Sequence, residues 1–228
     1  MFFAHLIVPL QAEIERKVFV FMAQTPQDKT SAEVERISRE ELMKAQSNTP
    51  IEDDGCPWYA LRLFTLRQMD VVNALVEKGM EFFVPMQYVD YMDREGRRRR
   101  KLRAVVQNLV FVKKTFEPGY LSGIVADLPY KMMVIRKSRG SREFCEIPSK
   151  QMYDFRVMCN PELLIHKYMS EEEARLKVGT RVLVTHGPLK GLSGKLVRQS
   201  HKYYLLKEVP GMAVMIKVTR WCCQPVEE

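Results

Sequence analysis

The pattern of apolar and polar residues divides the chain into four stretches. Residues 1–57 begin with a short apolar run and continue as a polar, acidic segment. Residues 58–158 alternate short apolar runs of strand character with stretches whose apolar residues recur at helical spacing. A charged segment, 159–177, precedes a Gly-rich series of short strands at 178–228. The pattern predicts an N-terminal leader, a first domain, a linker and a small second domain.

The first domain is predicted to mix strands and helices around one sheet. Its predicted elements are a strand at 58–64, a helix at 66–80, a strand at 81–92, a turn at 93–96, a basic strand leading into the apolar run 104–114, a helix from near Pro118, strands at 130–137 and 142–148, and a helix at 149–158. This order is typical of an α+β sandwich with one sheet and helices to its side.

The second domain is predicted to be a small SH3-like β-barrel. Strands at 182–184, 195–198, 202–209 and 212–218 are separated by turns that contain glycine and proline. A barrel of about fifty residues lies near the lower size limit for independent folding.

The leader is expected to be mobile and to lie outside both domains. Its first apolar run, from Phe2 to Leu10, is interrupted by His5 and Pro9 and has no basic residue before it. These features argue against a signal peptide or a membrane span. One helix is predicted near residues 31–46.

Charge is distributed unevenly between the stretches. Residues 58–158 carry 19 Lys and Arg against 11 Asp and Glu, whereas residues 1–57 carry 6 against 10. The whole chain has a formal charge of +8. Positive potential concentrates polyanions, so the charge favours a nucleic-acid partner over the plainer explanation of solubility.

The strongest local charge follows the predicted turn at 93–96. Seven basic residues occur in the ten positions from Arg94 to Arg103, and they are Arg94, Arg97, Arg98, Arg99, Arg100, Lys101 and Arg103. Strands on both sides indicate the exposed arm of a β-hairpin rather than a free tail or a localisation signal. Two interpretations remain open, which are contact with nucleic-acid phosphates and a solvated edge strand protected by charge.

No catalytic, cofactor or metal site is predicted. The five cysteines and four histidines show no metal-ligand spacing, and the chain has no P-loop and no nucleophile elbow. Unpatterned cysteines of odd number indicate reduced thiols, so we expect a cytoplasmic protein.

Each of the two predicted domains carries a recognisable motif. In the second domain, Val178, Gly179, Arg181, Val182, Val184, Gly187, Pro188, Gly191 and Gly194 follow a pattern that resembles the KOW motif. Upstream, the Trp58-Tyr59 strand with its helix and hairpin resembles the NusG N-terminal domain. Together the two stretches resemble the NusG family of transcription elongation factors. Within the family, the chain is most similar to the UpxY group, which are antiterminators of capsular-polysaccharide loci.

The resemblance implies a protein that binds RNA polymerase through an apolar face of the first domain. The positions that match this face are Trp58, Tyr59, Phe64, Thr65, Val106, Gln107, Asn108 and Leu109. The family has Phe-Pro-Gly-Tyr where this chain has residues 106–109, so the aromatic anchor is missing there. Docking is then either weaker or shared with Phe82, Phe83 and Phe111. Core packing is the alternative role for Trp58 and Phe111.

The function implied by the resemblance is antitermination without covalent chemistry. The basic arm is expected beside DNA or nascent RNA, and the KOW barrel is expected to bind a ribosomal protein or Rho. We expect a monomer that associates with no membrane. The alternatives are a KOW-containing RNA-binding or ribosome-associated protein and, more weakly, a nucleic-acid enzyme.

Overall fold

The computed structural model describes Gln46, residues 51–162 and residues 166–226. Predictions for residues 1–50 therefore lie outside the described residues, except that Gln46 is helical. The end of the predicted leader, residues 51–57, is described and belongs to the folded unit, where Asp54 pairs with Lys113. Residues Ile51–Glu228 form one compact unit. None of the described helices is both long and apolar enough to cross a membrane.

The first part of this unit contains the helices and strands in the predicted order. Its elements are β1 (Trp58–Leu63), α1 (Gln68–Glu77), β2 (Phe82–Phe83), β3 (Met86–Met92), β4 (Arg98–Ala104), β5 (Leu109–Lys113), α2 (Pro118–Asp127), β6 (Met132–Val134), β7 (Glu146–Ile147) and α3 (Ser149–Met158). The strand predicted at 81–92 is divided into β2 and β3 around Pro85. Proline has no backbone N–H and cannot continue a strand ladder, which explains the division.

A five-stranded antiparallel sheet forms the centre of this part. Its strand order is β2-β5-β1-β6, and β7 also pairs with β1. Successive side chains of a strand lie on opposite faces of the sheet, so Trp58 and Ala60 lie on one face and Tyr59 and Leu61 on the other. All four side chains are buried. Both faces of the sheet are therefore covered along most of β1, in which Arg62 is the exposed residue. Strands and helices are combined in this part of the chain, as the predicted α+β class requires.

The remaining elements form a second antiparallel sheet. They are β8 (His166–Met169), α4 (Glu171–Arg175), β9 (Thr180–Val184), β10 (Ser193–Gln199), β11 (Lys202–Val209), β12 (Met212–Val218), a 3₁₀ helix (Arg220–Cys222) and β13 (Cys223–Pro225). The six strands lie in the order β13-β9-β10-β11-β12-β8. The sequence predicted a closed barrel, but the sheet is open, with β13 and β8 at its two edges.

The segment predicted as a linker contributes an edge of this second sheet. β8 pairs with β12, so that Tyr168 lies opposite Val214. Ser170 caps α4 because its side chain accepts a hydrogen bond from the backbone N–H of Glu173. Three acidic residues in the first turn of α4 favour the same helix start. A polar sequence with weak periodicity concealed both elements.

The two sheets share one hydrophobic core, with α3 between them. Phe155 and Met152 of α3 belong to the same buried cluster as Phe111 of the first sheet and Leu205 of the second. The Phe111 and Phe155 rings pack edge to face with centroids 5.5 Å apart. The second sheet is therefore packed against the first part of the chain.

An ionic cluster around a buried carboxylate joins α3 to the second sheet. Asp154 is fully buried, and its carboxylate lies 2.8 Å from Lys150 Nζ and 2.8 Å from Lys207 Nζ. The hydroxyl of Ser193 donates a hydrogen bond of 2.8 Å to the same carboxylate. Burial alone would raise the pKa of Asp154, but the hydrogen bonds from Lys150 and Lys207 outweigh it and leave that pKa lowered.

Candidate nucleic-acid interface and docking surface

The basic segment forms one strand of a hairpin that stands apart from both sheets. β3 and β4 pair only with each other, from Met86 opposite Ala104 to Met92 opposite Arg98. Asp93 closes the turn, because its Oδ1 atom accepts hydrogen bonds from the backbone N–H groups of Glu95 and Arg97. Gly96 supplies the positive φ of 73° that the turn requires. The predicted hairpin is confirmed.

Each face of the hairpin carries a cation stacked on a tyrosine. The Arg100 guanidinium lies 4.5 Å from the centroid of the Tyr88 ring. The Lys101 ammonium lies 4.4 Å from the centroid of the Tyr91 ring, and Tyr91 is on the opposite face from Tyr88 by strand alternation. Such contacts hold long side chains in defined positions while their charges stay in solvent.

Three acidic side chains in the hairpin pair with some of its arginines. Arg98 Nη2 lies 2.9 Å from Asp90, and both Arg97 Nε and Arg99 Nε lie 3.1 Å from Asp93. Arg97 also pairs with Glu95. The hydrogen bond from the backbone N–H of Arg97, and then those from the Arg99 and Arg97 side chains, lower the pKa of Asp93.

The pairing divides the seven predicted phosphate-binding residues into two groups. Arg97, Arg98 and Arg99 are bound to acids, whereas Arg94, Arg100, Lys101 and Arg103 have no acidic partner among the described residues. The positive field of the hairpin therefore comes mainly from the second group. Sequence reasoning counted the cations but missed the compensating acids, which lie within the same hairpin.

The predicted polymerase-docking residues of β1 differ in accessibility. The Trp58 and Tyr59 side chains are buried in the core. Arg156 covers Trp58, with its guanidinium carbon 5.2 Å from the Trp58 ring centroid. Phe64, just after β1, is 54% exposed, and Thr65 accepts a hydrogen bond from the backbone N–H of Arg67. Only the Phe64 end of this group offers an apolar side chain to solvent.

The predicted docking segment 106–109 is a loop that Gln68 holds in place by hydrogen bonds. The Gln68 side-chain amide donates to the carbonyl oxygens of Val106, at 3.0 Å, and Leu109, at 2.8 Å. Gln107 and Asn108 are exposed, and the carbonyl of Asn108 accepts from the backbone N–H of Leu63 at 2.9 Å. Gln68 is a buried polar residue that sequence reasoning did not select, although its place at the start of a helix beside apolar residues was a signal.

Leu109, the last residue of that segment, is covered by the second sheet. It is buried, and a side-chain carbon placed on Gly211 would lie 2.9 Å from its Cδ1 atom. Gly211, between β11 and β12, therefore allows the backbone of this turn to approach the first sheet closely. An aspartate at Leu109 would break the shared core as well as any docking surface.

Beside Phe64, a further apolar residue is exposed that the sequence did not indicate. Leu66 is 86% exposed and lies between β1 and α1. Lys131 is near the Phe64 ring, with its ammonium 5.9 Å from the ring centroid, and its carbonyl accepts from the Phe64 backbone N–H. We define Phe64 and Leu66 as the apolar rim.

The residues predicted for the KOW motif lie at the β9–β10 connection. Gly187 and Gly191 have φ values of 85° and 88°, which other residues rarely adopt. Pro188 is exposed. Gly194 lies within β10, where an added side-chain carbon would be 2.6 Å from the carbonyl oxygen of Leu206. The glycines are thus explained by backbone conformation and by close packing.

Comparison with protein families identifies the class of the first part of the chain. Residues 57–156 match the family model described as transcription termination factor NusG. The match includes the hairpin, the apolar rim and the loop held by Gln68, and it ends before the second sheet. No match to a curated protein was found. The chain therefore contains a NusG family domain, and NusG family proteins act as transcription factors.

Proposed function

We propose that this protein is a specialised transcription antitermination and elongation factor that binds RNA polymerase. It promotes read-through of a long operon, and capsular-polysaccharide biosynthesis is the operon type that we favour. The observation that carries the proposal is the NusG family domain at residues 57–156. The exposed hairpin and the apolar rim of that domain supply two chemically different contacts.

The apolar rim is the proposed docking contact with polymerase. Phe64 and Leu66, two positions apart in the connection that follows β1, both expose apolar side chains. Burying such side chains against a protein surface is favourable, by about 25 cal/mol for each Å² of apolar area. Gln107 and Asn108 lie in the neighbouring loop and extend this contact with polar groups.

The hairpin is the proposed contact with DNA or nascent RNA in the transcription complex. Arg94, Arg100, Lys101 and Arg103 carry charges without acidic partners among the described residues. Contacts to phosphates are independent of sequence and depend on salt. A protein that holds polymerase at one surface and nucleic acid at another disfavours the opening that accompanies pausing.

The second sheet is proposed to be a KOW-like module that recruits a ribosomal protein or Rho. Its support is the glycine pattern at Gly187, Gly191 and Gly194. We further propose a cytoplasmic monomer without catalytic activity, because the family domain has no enzymatic role in the factors that it resembles.

Transcription through a terminator with purified RNA polymerase tests the proposal. The full chain should increase read-through, and Phe64→Asp with Leu66→Asp should remove that increase because an unpaired charge at a docking surface costs several kcal/mol. The matched control is Leu176→Asp with Val226→Asp, which changes two exposed apolar residues outside the family domain. Circular dichroism establishes that both variants are folded.

The second candidate is an RNA-binding or ribosome-associated protein, which the basic hairpin also favours. Unchanged read-through with the wild-type chain, together with stable co-sedimentation with ribosomes, would replace the antitermination proposal by this one. Equal reductions of read-through in the rim variant and its matched control would reject the rim as the docking contact.

A further inference from the structure

A second surface of cations and aromatic rings lies at one end of the second sheet, beyond the family match. It is formed by the β10–β11 turn, the end of β12 and the 3₁₀ helix. We call it the end patch and define it by Arg198, Lys202, Tyr203, Lys217, Arg220 and Trp221. The last five of these line an open pocket of about 610 Å³.

Trp221 gives the end patch a large exposed aromatic face. It is 74% exposed, whereas the other tryptophan of the chain, Trp58, is 4% exposed and packs in the core. The ring of His186 lies 6.0 Å from the Trp221 ring, centroid to centroid. An exposed indole adds nothing to the core, and a flat ring open to solvent is suited to stacking with a nucleic-acid base.

Tyr203 lies near two arginines at the same end of the sheet. The guanidinium carbons of Arg198 and Arg220 each lie 5.9 Å from the Tyr203 ring centroid. Arg198 is directly opposite Tyr203 in the β10–β11 ladder. The arrangement places two cations near one aromatic ring, whereas in the hairpin one cation lies over each of Tyr88 and Tyr91.

The turn that carries this surface is unusual in its backbone. Ser200 and His201 have φ values of 49° and 60°. No other non-glycine residue in the described part of the chain has a positive φ. Two successive positive φ angles match the two-residue turn that suits the twist of a β-hairpin. The turn fixes Lys202 at the start of β11 beside the pocket. Non-glycine residues in this conformation are found more often at functional sites than elsewhere.

The charge of the end patch is uncompensated. Arg198, Lys202, Lys217 and Arg220 form no ion pair within the part of the chain that the structure describes. Residues 186–226 contain one acidic residue, Glu208, and its carboxylate pairs with Lys195 at 2.9 Å. Among the residues that the structure describes, the pocket is therefore lined mainly by cations and aromatic rings, and by no carboxylate.

We propose that the end patch binds single-stranded nucleic acid. Trp221 stacks with an unpaired base, and the four cations contact the flanking phosphates. Single strands combine exposed base faces with a dense row of negative charges, and these are the two properties that the patch complements. A duplex offers the charge but keeps its bases stacked internally. An acidic protein surface offers charge without flat rings to pair with Trp221.

Tryptophan fluorescence of the full chain tests the proposal without polymerase. The probes are single strands of about twelve nucleotides, oligouridine and oligothymidine, and a DNA duplex of the same length. Stacking on Trp221 quenches its emission, whereas Trp58 is buried and does not respond. Both single strands should quench and the duplex should not. Tighter binding of oligouridine assigns the site to RNA, and equal binding assigns it to single strands of either kind.

Variants of the end patch test the residues. Trp221→Ala should abolish the quenching and weaken single-strand binding by about tenfold, within the range measured for one stacked base. Lys202→Ala with Lys217→Ala should weaken binding and reduce the salt slope by about 0.7 for each phosphate that the variant no longer neutralises. Lys167→Ala with Lys190→Ala removes two exposed lysines elsewhere in the same part of the chain, and it should leave the quenching unchanged.

The hairpin variant Arg94→Ala with Arg103→Ala separates this site from the proposed function. Quenching should persist in that variant, because its residues lie in the first part of the chain. Three results would overturn the proposal: quenching by the duplex as strong as by single strands, an equal effect of the control lysines, or no quenching by any oligonucleotide. Quenching by a purified ribosomal protein or Rho instead would assign the patch to a protein partner.

Discussion

The hairpin and the end patch are both basic and aromatic, but they differ in how their charge is balanced. In the hairpin, Asp90, Asp93 and Glu95 bind three of the arginines. In the end patch, the cations have no carboxylate partner among the described residues. The hairpin is obvious in the sequence, because its seven basic residues fall within ten positions. The end patch is assembled from residues spread between 198 and 221.

The comparison shows that a dense basic run need not carry more net charge than a sparse one. Three acids reduce the seven cations of the hairpin to an excess of four, which equals the number of cations in the end patch. Ion pairs between exposed groups gain little free energy, about 0–1 kcal/mol, but they neutralise charge and order long side chains. The ion pairs of the hairpin therefore order its arginine side chains and reduce its net positive charge. The end patch keeps its full charge around one exposed ring. The variants below alter these balances, beginning with the buried ion pair that joins the second sheet to α3.

The largest effect is expected at Asp154. Asp154→Ala leaves the partly buried Lys207 without its carboxylate, and removal of one partner of a buried pair costs about 3–5 kcal/mol. The exposed counterpart in the hairpin is Asp90, whose replacement by alanine should cost less than about 1 kcal/mol. Urea unfolding of both variants measures the difference. Similar destabilisation of the two variants would contradict the contrast between buried and exposed pairs.

The same carboxylate makes stability depend on pH. Because the pKa of Asp154 is lowered in the folded protein, its contribution is present above the ordinary carboxyl pKa of about 4 and is lost as pH falls through the lower folded value. The free energy of unfolding should therefore decrease on acidification below about pH 4. Asp154→Asn should flatten that decrease in urea titrations at several pH values. An unchanged slope would show that Asp154 does not contribute.

The next effect is expected at Gln68, which fixes the loop at the base of the hairpin. Gln68→Ala leaves the carbonyls of Val106 and Leu109 without its amide, and a buried unpaired polar group costs about 1–3 kcal/mol. Read-through should fall as well, because the loop is no longer held in position. Gln107→Ala, at an exposed residue of the same loop, should change stability by less than about 0.5 kcal/mol. Thermal unfolding and the transcription assay measure both effects.

A smaller effect is expected from the cations of the hairpin. Arg94→Ala with Arg103→Ala should weaken binding to DNA and RNA for all sequences alike, with a decrease in the salt slope of about one for each phosphate no longer neutralised. Arg97→Ala with Arg98→Ala removes the same charge from residues already paired with acids, so its effect should be smaller. Anisotropy titrations over a range of salt concentrations compare the pairs. Equal effects would mean that the ion pairs do not restrain the arginines.

The smallest effect is expected from Asp90→Asn. This change releases Arg98 from its ion pair and makes the hairpin more like the end patch. Affinity for nucleic acid should rise a few-fold at low salt and return to the wild-type value at high salt, where screening removes the difference. Asp70→Asn, in α1 away from the hairpin, has the same charge change and provides the control. Equal increases in both variants would indicate a general charge effect.

The local elements of the chain could be read from the sequence with good accuracy. The helix predicted at 149–158 is α3, and the turn at 93–96 closes the β3–β4 hairpin. These elements depend on periodicity and on residues such as Gly96, which act over a few positions. The strand β8 was not predicted because the strand with which it pairs, β12, lies more than forty residues away in sequence. No local periodicity of residues 166–169 indicates a strand.

The candidate site was predictable only in part. The seven basic residues were located correctly on an exposed hairpin, but their division by Asp90, Asp93 and Glu95 depends on which side chains face each other across the ladder. The burial of Trp58, Tyr59 and Leu109 could not be read from residue type, since an aromatic or aliphatic side chain suits a core and a docking surface equally. Gln68 acquires its role only through carbonyls some forty residues away.

Four features could be read from the sequence because they are properties of neighbouring residues. They are the alternation of apolar and polar positions, the hairpin, the basic charge and the resemblance to the NusG family. Tertiary structure decided three features: the open second sheet, its packing on α3 through Asp154, and the meeting of Arg198, Tyr203, Arg220 and Trp221 at one sheet end. Each of these depends on strand pairing and packing between residues distant along the chain. Burial and charge compensation arise from those contacts, so no local pattern could specify them.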